Sequence, residues 1–423
     1  MKRSKLTRRE IIASGIAAAG GLILPATDSW GSLEASAESH TDLLIVGAGP
    51  FGLAIAAYAQ QYGIRHQLVG TAMGFWRDNM PEGMLLRSTC DWSLDPLDDY
   101  SIDAYLNSLG KQCREVAPLS RNFYLDYARW FQQGRALQSD EIKVVSLIAE
   151  GDRFIALTDS GGRIYGKNVV VAVGFEAFAH SPPELVSLFP EGRCQHTCSL
   201  VDFGQLAGRR VLIIGGRQSA FEWAALIREA GADRIDVAYR HATPLFEPSD
   251  WTWVNPIVDN LAADPGWYRR LSEDEKQQLN RRFWEEGRLK LEPWLAPRID
   301  HPNVGLHPHS NVIGAEAGDQ GIEVAFDSGE TFAVDEIVFA TGYRVNLERL
   351  PFLAPELRSA LGIQEGYAPL DVNFQTRVPG LYLTSLAATR DFGSFLAFTV
   401  SVRAQANVIG QSIRRSLQAH AQS

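Results

Sequence analysis

The sequence predicts an α/β protein with two copies of one strand–turn–helix unit, the second inserted in the first, and three observations lead there. An apolar run over residues 41–46 enters Gly47-Ala48-Gly49-Pro50-Phe51-Gly52, and residues 53–62 then read as an alanine-rich helix capped by Gly63. A second apolar run over 209–214 enters Gly215-Gly216-Arg217-Gln218-Ser219-Ala220 and a helix over 221–230 that stops at Gly231; Gly215 follows Gly47 by 168 residues. Segments 154–174 and 322–342 align without a gap at the same offset. Each carries Asp-Ser-Gly between alternating runs, a hairpin signal, and ends on an apolar strand closed by Ala-x-Gly. Two coincidences at one spacing indicate a duplication.

The first glycine set is a G-x-G-x-x-G fingerprint in its required context, so each copy reads as a Rossmann-type dinucleotide-binding unit. Gly47 makes the tight turn, Gly49 lets the backbone approach a pyrophosphate, and Gly52 allows close helix–strand packing. Pro50 and Phe51 open the helix, whose N-terminal N–H groups face the phosphates. In the second set Arg217 stands where the second glycine belongs and would crowd a pyrophosphate lying on the backbone. Either Arg217 swings out and pairs with phosphate, or ordinary coenzyme binding is lost there. The expected boundaries are a first domain over 38–207 and 335–423, and an inserted domain over 208–334 with a helical insert near 245–297.

The remaining features bound the function. A net charge of −10 leaves no electrostatic footprint for nucleic acid. Four cysteines are too few for a disulfide scaffold, and they do not fix the compartment. Cys194 and Cys198, three residues apart in the gap, read as linker thiols and not as a redox pair. Residues 1–9 carry five positive charges and precede an apolar run over 11–24 too short to span a membrane; Arg8-Arg9 and Ala35-Ser36-Ala37 complete a twin-arginine-like export signal over 1–37. The export machinery is the partner this implies, and the periplasm the destination; a retained tail on a cytoplasmic protein is the alternative. Five tryptophans between 250 and 295 read as the packing of a small helical subdomain against its neighbour, with a substrate-facing wall as the alternative. His301, His307 and His309 read as an edge strand and loop, not as metal ligands.

These residues resemble the two-dinucleotide-domain flavoproteins, and more narrowly the class B flavin monooxygenases and their N-hydroxylating relatives. Ala340-Thr341-Gly342-Tyr343 is similar to the segment that returns the chain to the FAD domain, Gly74-Phe75-Trp76 and residues 80–84 to the stretch lining the flavin, and Asp391-Phe392-Gly393 to the helix start that closes over it. The resemblance implies FAD on Gly47, Gly49, Pro50, Phe51, Gly52, Trp76, Met84, Phe392 and Gly393. It implies NADPH on Gly215, Gly216, Arg217, Gln218, Ser219, Ala220, Thr341 and Gly342, with Arg240 meeting the 2′-phosphate. The acidic residue expected to bind the FAD ribose is missing, and Gln67 is its hydrogen-bonding substitute.

The implied chemistry is hydride transfer from NADPH to FAD, then oxygenation of a small-molecule amine nitrogen or sulfide sulfur by O₂ through a flavin peroxide. No side-chain nucleophile is required, and no catalytic residue is assigned. A disulfide- or quinone-type NAD(P)H reductase and a non-catalytic flavin-binding protein are the alternatives. NADPH is scarce outside the cytoplasm, so export and the family's reductant pull against each other.

Overall fold

The computed structural model describes residues 38–422; the segment over 1–37 expected to be an export signal lies outside them. The first sheet begins with β1 (Glu38–Val46) and β2 (His66–Val69), joined through the helix Pro50–Gln61. It continues with β3 (Val144–Glu150), β4 (Arg153–Thr158) and β5 (Arg163–Val171) in the order β2-β1-β5-β4-β3. β1 is parallel to both β2 and β5, whereas β3, β4 and β5 form an antiparallel meander whose β4–β5 turn holds Asp159-Ser160-Gly161.

The second unit contains β6 (Cys194–His196), β7 (Arg210–Ile214) and β8 (Arg234–Tyr239), with the helix Gln218–Glu229 between the last two. A short parallel pair, β9 (Leu245–Phe246) and β10 (Lys290–Leu291), ties the two ends of the helical insert. β11 (Val304–Pro308) is the edge strand next to β8, and β12 (Val312–Gly318), β13 (Gly321–Phe326) and β14 (Thr331–Val334) form a separate antiparallel sheet. β15 (Glu336–Phe339) completes the parallel order β11-β8-β7-β15-β6. β16 (Leu381–Leu383) then returns to the first sheet beside the C-terminal half of β5, and the helix Val402–Gln422 follows.

The boundaries expected at 207 and 335 need correction, because β6 and β15 pair inside the second sheet. The reason lies in the duplication: β15 is the copy of the C-terminal half of β5 and takes the same place beside its own first strand. The copies differ at Asp335. In the first copy β5 runs unbroken; in the second the chain breaks between β14 and β15, and the Asp335 carboxylate accepts from the Arg210 amide at 2.8 Å and from its guanidinium at 2.7 Å.

Each sheet is apolar because it is covered on both faces, as parallel sheets require. Leu44, Ile45, Val169 and Val170 are buried in one core, and Val211, Leu212, Ile213 and Val338 in the second unit. Trp251, Trp253 and Trp267 of the insert pack on the first core, and Trp294 on the second, so these four tryptophans are packing residues. Trp284 is the exception and is half exposed.

Candidate functional site

Both glycine turns sit at the carboxyl ends of parallel strands, where the strand order switches direction and open α/β sheets take their ligands. Gly47 has φ +109°, and a methyl there would lie 2.3 Å from the Ala172 carbonyl oxygen; Gly215 has φ +143° and would meet Ala340 at 2.4 Å. Ala172 and Ala340 are themselves copies of one position. Gly52 is equally tight, its added methyl falling 1.9 Å from the Gly47 oxygen. Gly49 differs: it has nothing within 4 Å, and as N-cap of the helix Pro50–Gln61 it receives no side-chain capping bond. Space and unbonded helix N–H groups are therefore available where a pyrophosphate would lie. Pro50 and Phe51 are buried in the first turn of that helix.

The second turn has its own explanation for its glycines. Gly216 is pressed against Tyr239, 2.5 Å from an added methyl, so the missing side chain is required by packing. Arg217 is the N-cap of the helix Gln218–Glu229, with extended backbone, and its side chain swings out to donate to the Arg288 carbonyl oxygen and lie 5.3 Å over the Trp284 ring. Ser219 is exposed and Ala220 buried. Gln218 is engaged by the insert, accepting from the Glu292 amide at 3.1 Å. Arg240, at the end of β8, is exposed and without a hydrogen-bond or ionic partner among the described residues, the position a 2′-phosphate would need.

Several expected residues are placed differently. Gln67 lies within β2 and both ends of its amide are taken: Oε1 accepts from Ser39 at 2.8 Å and Nε2 donates to Asp140 at 2.7 Å. The chain beside the first turn is instead Gly70, whose added methyl would lie 3.3 Å from the Ala48 nitrogen. Met84 packs on the core of the second unit. Phe392 is fully buried and stacks on Phe374 at 4.0 Å, while Gly393 backs onto Phe395 and Tyr268. Both are core residues in this structure. Trp76 is half-buried and stacks on Tyr124 at 4.6 Å. Thr341 donates to the His180 carbonyl oxygen, and the Gly342 carbonyl accepts from His180 N–H and His196 Nε2, each at 3.0 Å, so they fasten the crossover between the units.

Between the two turns runs an aromatic wall. Phe75 meets Phe175 at 5.7 Å, Phe175 meets Tyr343 at 5.3 Å and Phe398 at 6.5 Å, and Phe398 is 44% exposed. Large apolar rings left this open line binding grooves. Phe175 and Phe398 were missed in the sequence; the available signal was that Phe175 and Tyr343 each follow the Ala-x-Gly that ends their copy.

The titratable groups of the crossover are held neutral. His196 Nδ1 accepts from the Cys198 amide at 3.0 Å while Nε2 donates to Gly342, which fixes one tautomer, and burial lowers its pKa. Burial pushes the Cys194 thiol up to about 11 and raises that of Cys198; both are unpaired. Tyr343, with its hydroxyl buried against Cys198, is held well above the usual phenol range. These thiols are not poised for exchange. In the second unit the buried Glu222 bridges elements: it accepts from Arg298 at 3.0 Å and from the Leu85 amide at 3.4 Å, although burial outweighs those partners and raises its pKa.

Comparison with known proteins agrees with this geometry. The FAD-dependent urate hydroxylase of Xanthomonas campestris is 24% identical over 345 residues, covering 76% of this chain and 68% of that protein. A ferredoxin–NADP reductase of Cupriavidus pinatubonensis is 29% identical over 231 residues, 51% of this chain, which spans only 55% of the reductase's length. The ornithine N-hydroxylase of Kutzneria sp. 744, solved with reduced FAD, NADP⁺ and L-ornithine, superposes with a TM-score of 0.73 at 17% identity over 89% of this chain and 100% of that one, a likeness of fold. The pyridine nucleotide-disulphide oxidoreductase family matches residues 44–264, more than half of the chain. With a doubled glycine turn on the parallel strands of two sheets, the chain belongs to that family of oxidoreductases and has its two-dinucleotide-domain flavoprotein fold.

Proposed function

We propose that the chain is an FAD-dependent, NADPH-using monooxygenase that oxygenates an amine nitrogen or sulfide sulfur of a small molecule. The carrying observation is the pair of glycine turns that open onto one aromatic wall, without a redox-poised cysteine pair beside it. Gly49 and the uncapped helix Pro50–Gln61 fit the pyrophosphate of FAD, and Gly215 with the helix Gln218–Glu229 fits that of NADPH. Bound flavin supplies hydride acceptance and oxygen activation. The chain's part is to orient two rings across the Phe175–Tyr343 seam and to exclude water from the reacting centre, which proximity and desolvation turn into rate. His196 is held neutral and donates Nε2–H to the Gly342 carbonyl, which fixes its tautomer.

The urate hydroxylase and the ornithine N-hydroxylase support oxygenation; the reductases that share half the chain support a second reading, NADPH-driven reduction alone. Oxygen uptake measured with peroxide release, while a panel of amines and sulfides is added, separates them. Uptake that outruns peroxide is expected; oxygen-independent dye reduction, unmoved by every compound, would favour the reductase.

We further propose export. The basic, apolar N-terminal segment supports it, and so does a disulfide between Cys90 and Cys113, since such bonds persist in oxidising compartments. Changing Arg8 and Arg9 to Lys and fractionating the cells tests this; unchanged periplasmic yield contradicts it.

A further inference from the structure

Three arginines converge where the second turn meets the insert, and only one has an acidic partner. Arg87 is fully engaged: Nε donates to Glu292 at 2.7 Å, and the other nitrogens go to the carbonyl oxygens of Gly287 and Glu286 and to Ser249. Arg217 spends one nitrogen on the Arg288 carbonyl. The Arg288 side chain makes no hydrogen bond or ion pair among the described residues, and it is exposed. Desolvation nevertheless lowers its pKa, with the charge of Arg87 adding to the effect; Arg217 is lowered by desolvation first and Arg288 second. The Arg288 side chain is therefore open to water beside Arg217. Three nearby acids are committed elsewhere, Glu292 to Arg87, Glu286 to Lys290 at 2.9 Å, and Glu222 to Arg298, and Glu285 of the same turn is exposed and makes no ion pair with either arginine among the described residues. Neither guanidinium has an ion-pair partner among the described residues, so both are available to an anion that reaches them together.

The surroundings describe the rest of that molecule. Arg288 sits in a π-helical turn, Glu285–Leu289, which follows the helix Glu273–Trp284; such turns are frequent at functional sites. Trp284 and Leu289 beside it are 50% and 43% exposed, and Phe283, the residue before Trp284, meets Phe398 at 5.8 Å, which in turn meets Phe175 at 6.5 Å.

We infer that Arg217 and Arg288 grip an anionic group of the oxygenated substrate, a molecule with a carboxylate or an equivalent delocalised anion at one end and an apolar body lying along Phe398 and Phe175. This rests on the monooxygenase reading. A pair of guanidinium groups matches such an anion with charge-assisted bonds. The phosphates of NADPH share the chemistry, but they have receivers of their own in the uncapped helix Gln218–Glu229 and the unpaired Arg240, and Arg288 belongs to neither.

The test uses FAD-loaded protein and reads binding by tryptophan fluorescence, to which Trp284 under Arg217 contributes. Aliphatic and aromatic carboxylates, each paired with its primary amide, are titrated beside NADP⁺. At least one carboxylate should bind roughly tenfold tighter than its amide, about the worth of one charged hydrogen bond. Arg288→Gln should abolish that preference and leave NADP⁺ affinity and thermal stability unchanged, and Arg288→Lys should restore part of it. Loss of NADP⁺ affinity equal to the loss for carboxylates would assign the anion to the coenzyme and overturn the inference, as would a panel in which no carboxylate exceeds its amide. A colourless preparation would fail the flavoprotein reading instead, and absorbance reports that independently of the titration.

Discussion

Phe175 and Tyr343 occupy the same place in the two copies, each directly after the Ala-x-Gly that ends its sheet, and their rings meet edge to face at 5.3 Å. The duplication thus places one aromatic residue from each unit at the seam where two dinucleotides would face each other. Phe175→Ala removes a contact worth about 1 kcal/mol. It should slow anaerobic reduction of the flavin by NADPH about tenfold, because ring alignment is lost, with flavin content unchanged. Stopped-flow absorbance measures this, and an unaltered rate would remove the pair from coenzyme alignment.

Gly47 and Gly49 should fail in different ways. An alanine at Gly47 collides with the Ala172 carbonyl at a left-handed φ, so Gly47→Ala should destabilise the protein itself by 1–3 kcal/mol or more. At Gly49 the backbone is ordinary, φ −79°, and the space open, so Gly49→Ala should match the melting temperature of the FAD-free wild type and lose FAD. Retention of the yellow colour in Gly49→Ala would contradict the pyrophosphate assignment.

The Cys90–Cys113 disulfide closes a loop with a sequence separation of 23. Chain-entropy arguments give it about 3 kcal/mol of stabilisation. Replacing both cysteines by serine should lower the first melting transition, and thiol labelling of the native wild type should be slow, since Cys194 and Cys198 have raised pKa values. Rapid labelling of two native thiols would show that these cysteines are accessible and reactive.

The edge strand β11 is fastened by a titratable pair. His307 Nε2 bonds Asp236 at 2.8 Å, with Arg234 on the same carboxylate and Glu330 at 3.6 Å from Nδ1. The bond to Asp236 raises the His307 pKa, so its stabilisation is complete below the ordinary histidine value, about 6.5, and is lost as pH rises through the raised one. Burial raises the pKa of Asp236, but the bonds from His307 and Arg234 outweigh that and lower it, so its contribution is lost only as pH falls through the acidic range. Thermal stability should therefore fall as pH rises beyond about 6.5, through the raised value, and His307→Gln should flatten that limb. Parallel profiles for the two proteins would exclude the pair as its cause.

What was legible in the sequence was whatever depends on local rules. The turns at Gly47 and Gly215, the helices after them and the Asp-Ser-Gly hairpins are set by glycine conformation and apolar periodicity, and an offset of 168 residues repeats them. Strand pairing between distant segments was not legible, so β6 and β15 were placed in the wrong domain. For Gln67, spacing along the chain does not reveal that Ser39 and Asp140 already bond its amide. Phe392 resembles a cofactor-facing residue in its motif, yet Phe374 claims its ring. Arg288 carries no motif at all; only the fold, which brings it beside Arg87 and Arg217, distinguishes it.

The visible absorbance spectrum of the purified chain, recorded before and after anaerobic NADPH, decides whether this is a flavoprotein that NADPH reduces. A flavin band that NADPH bleaches is the predicted result. A protein that stays colourless after reconstitution with FAD would contradict the account.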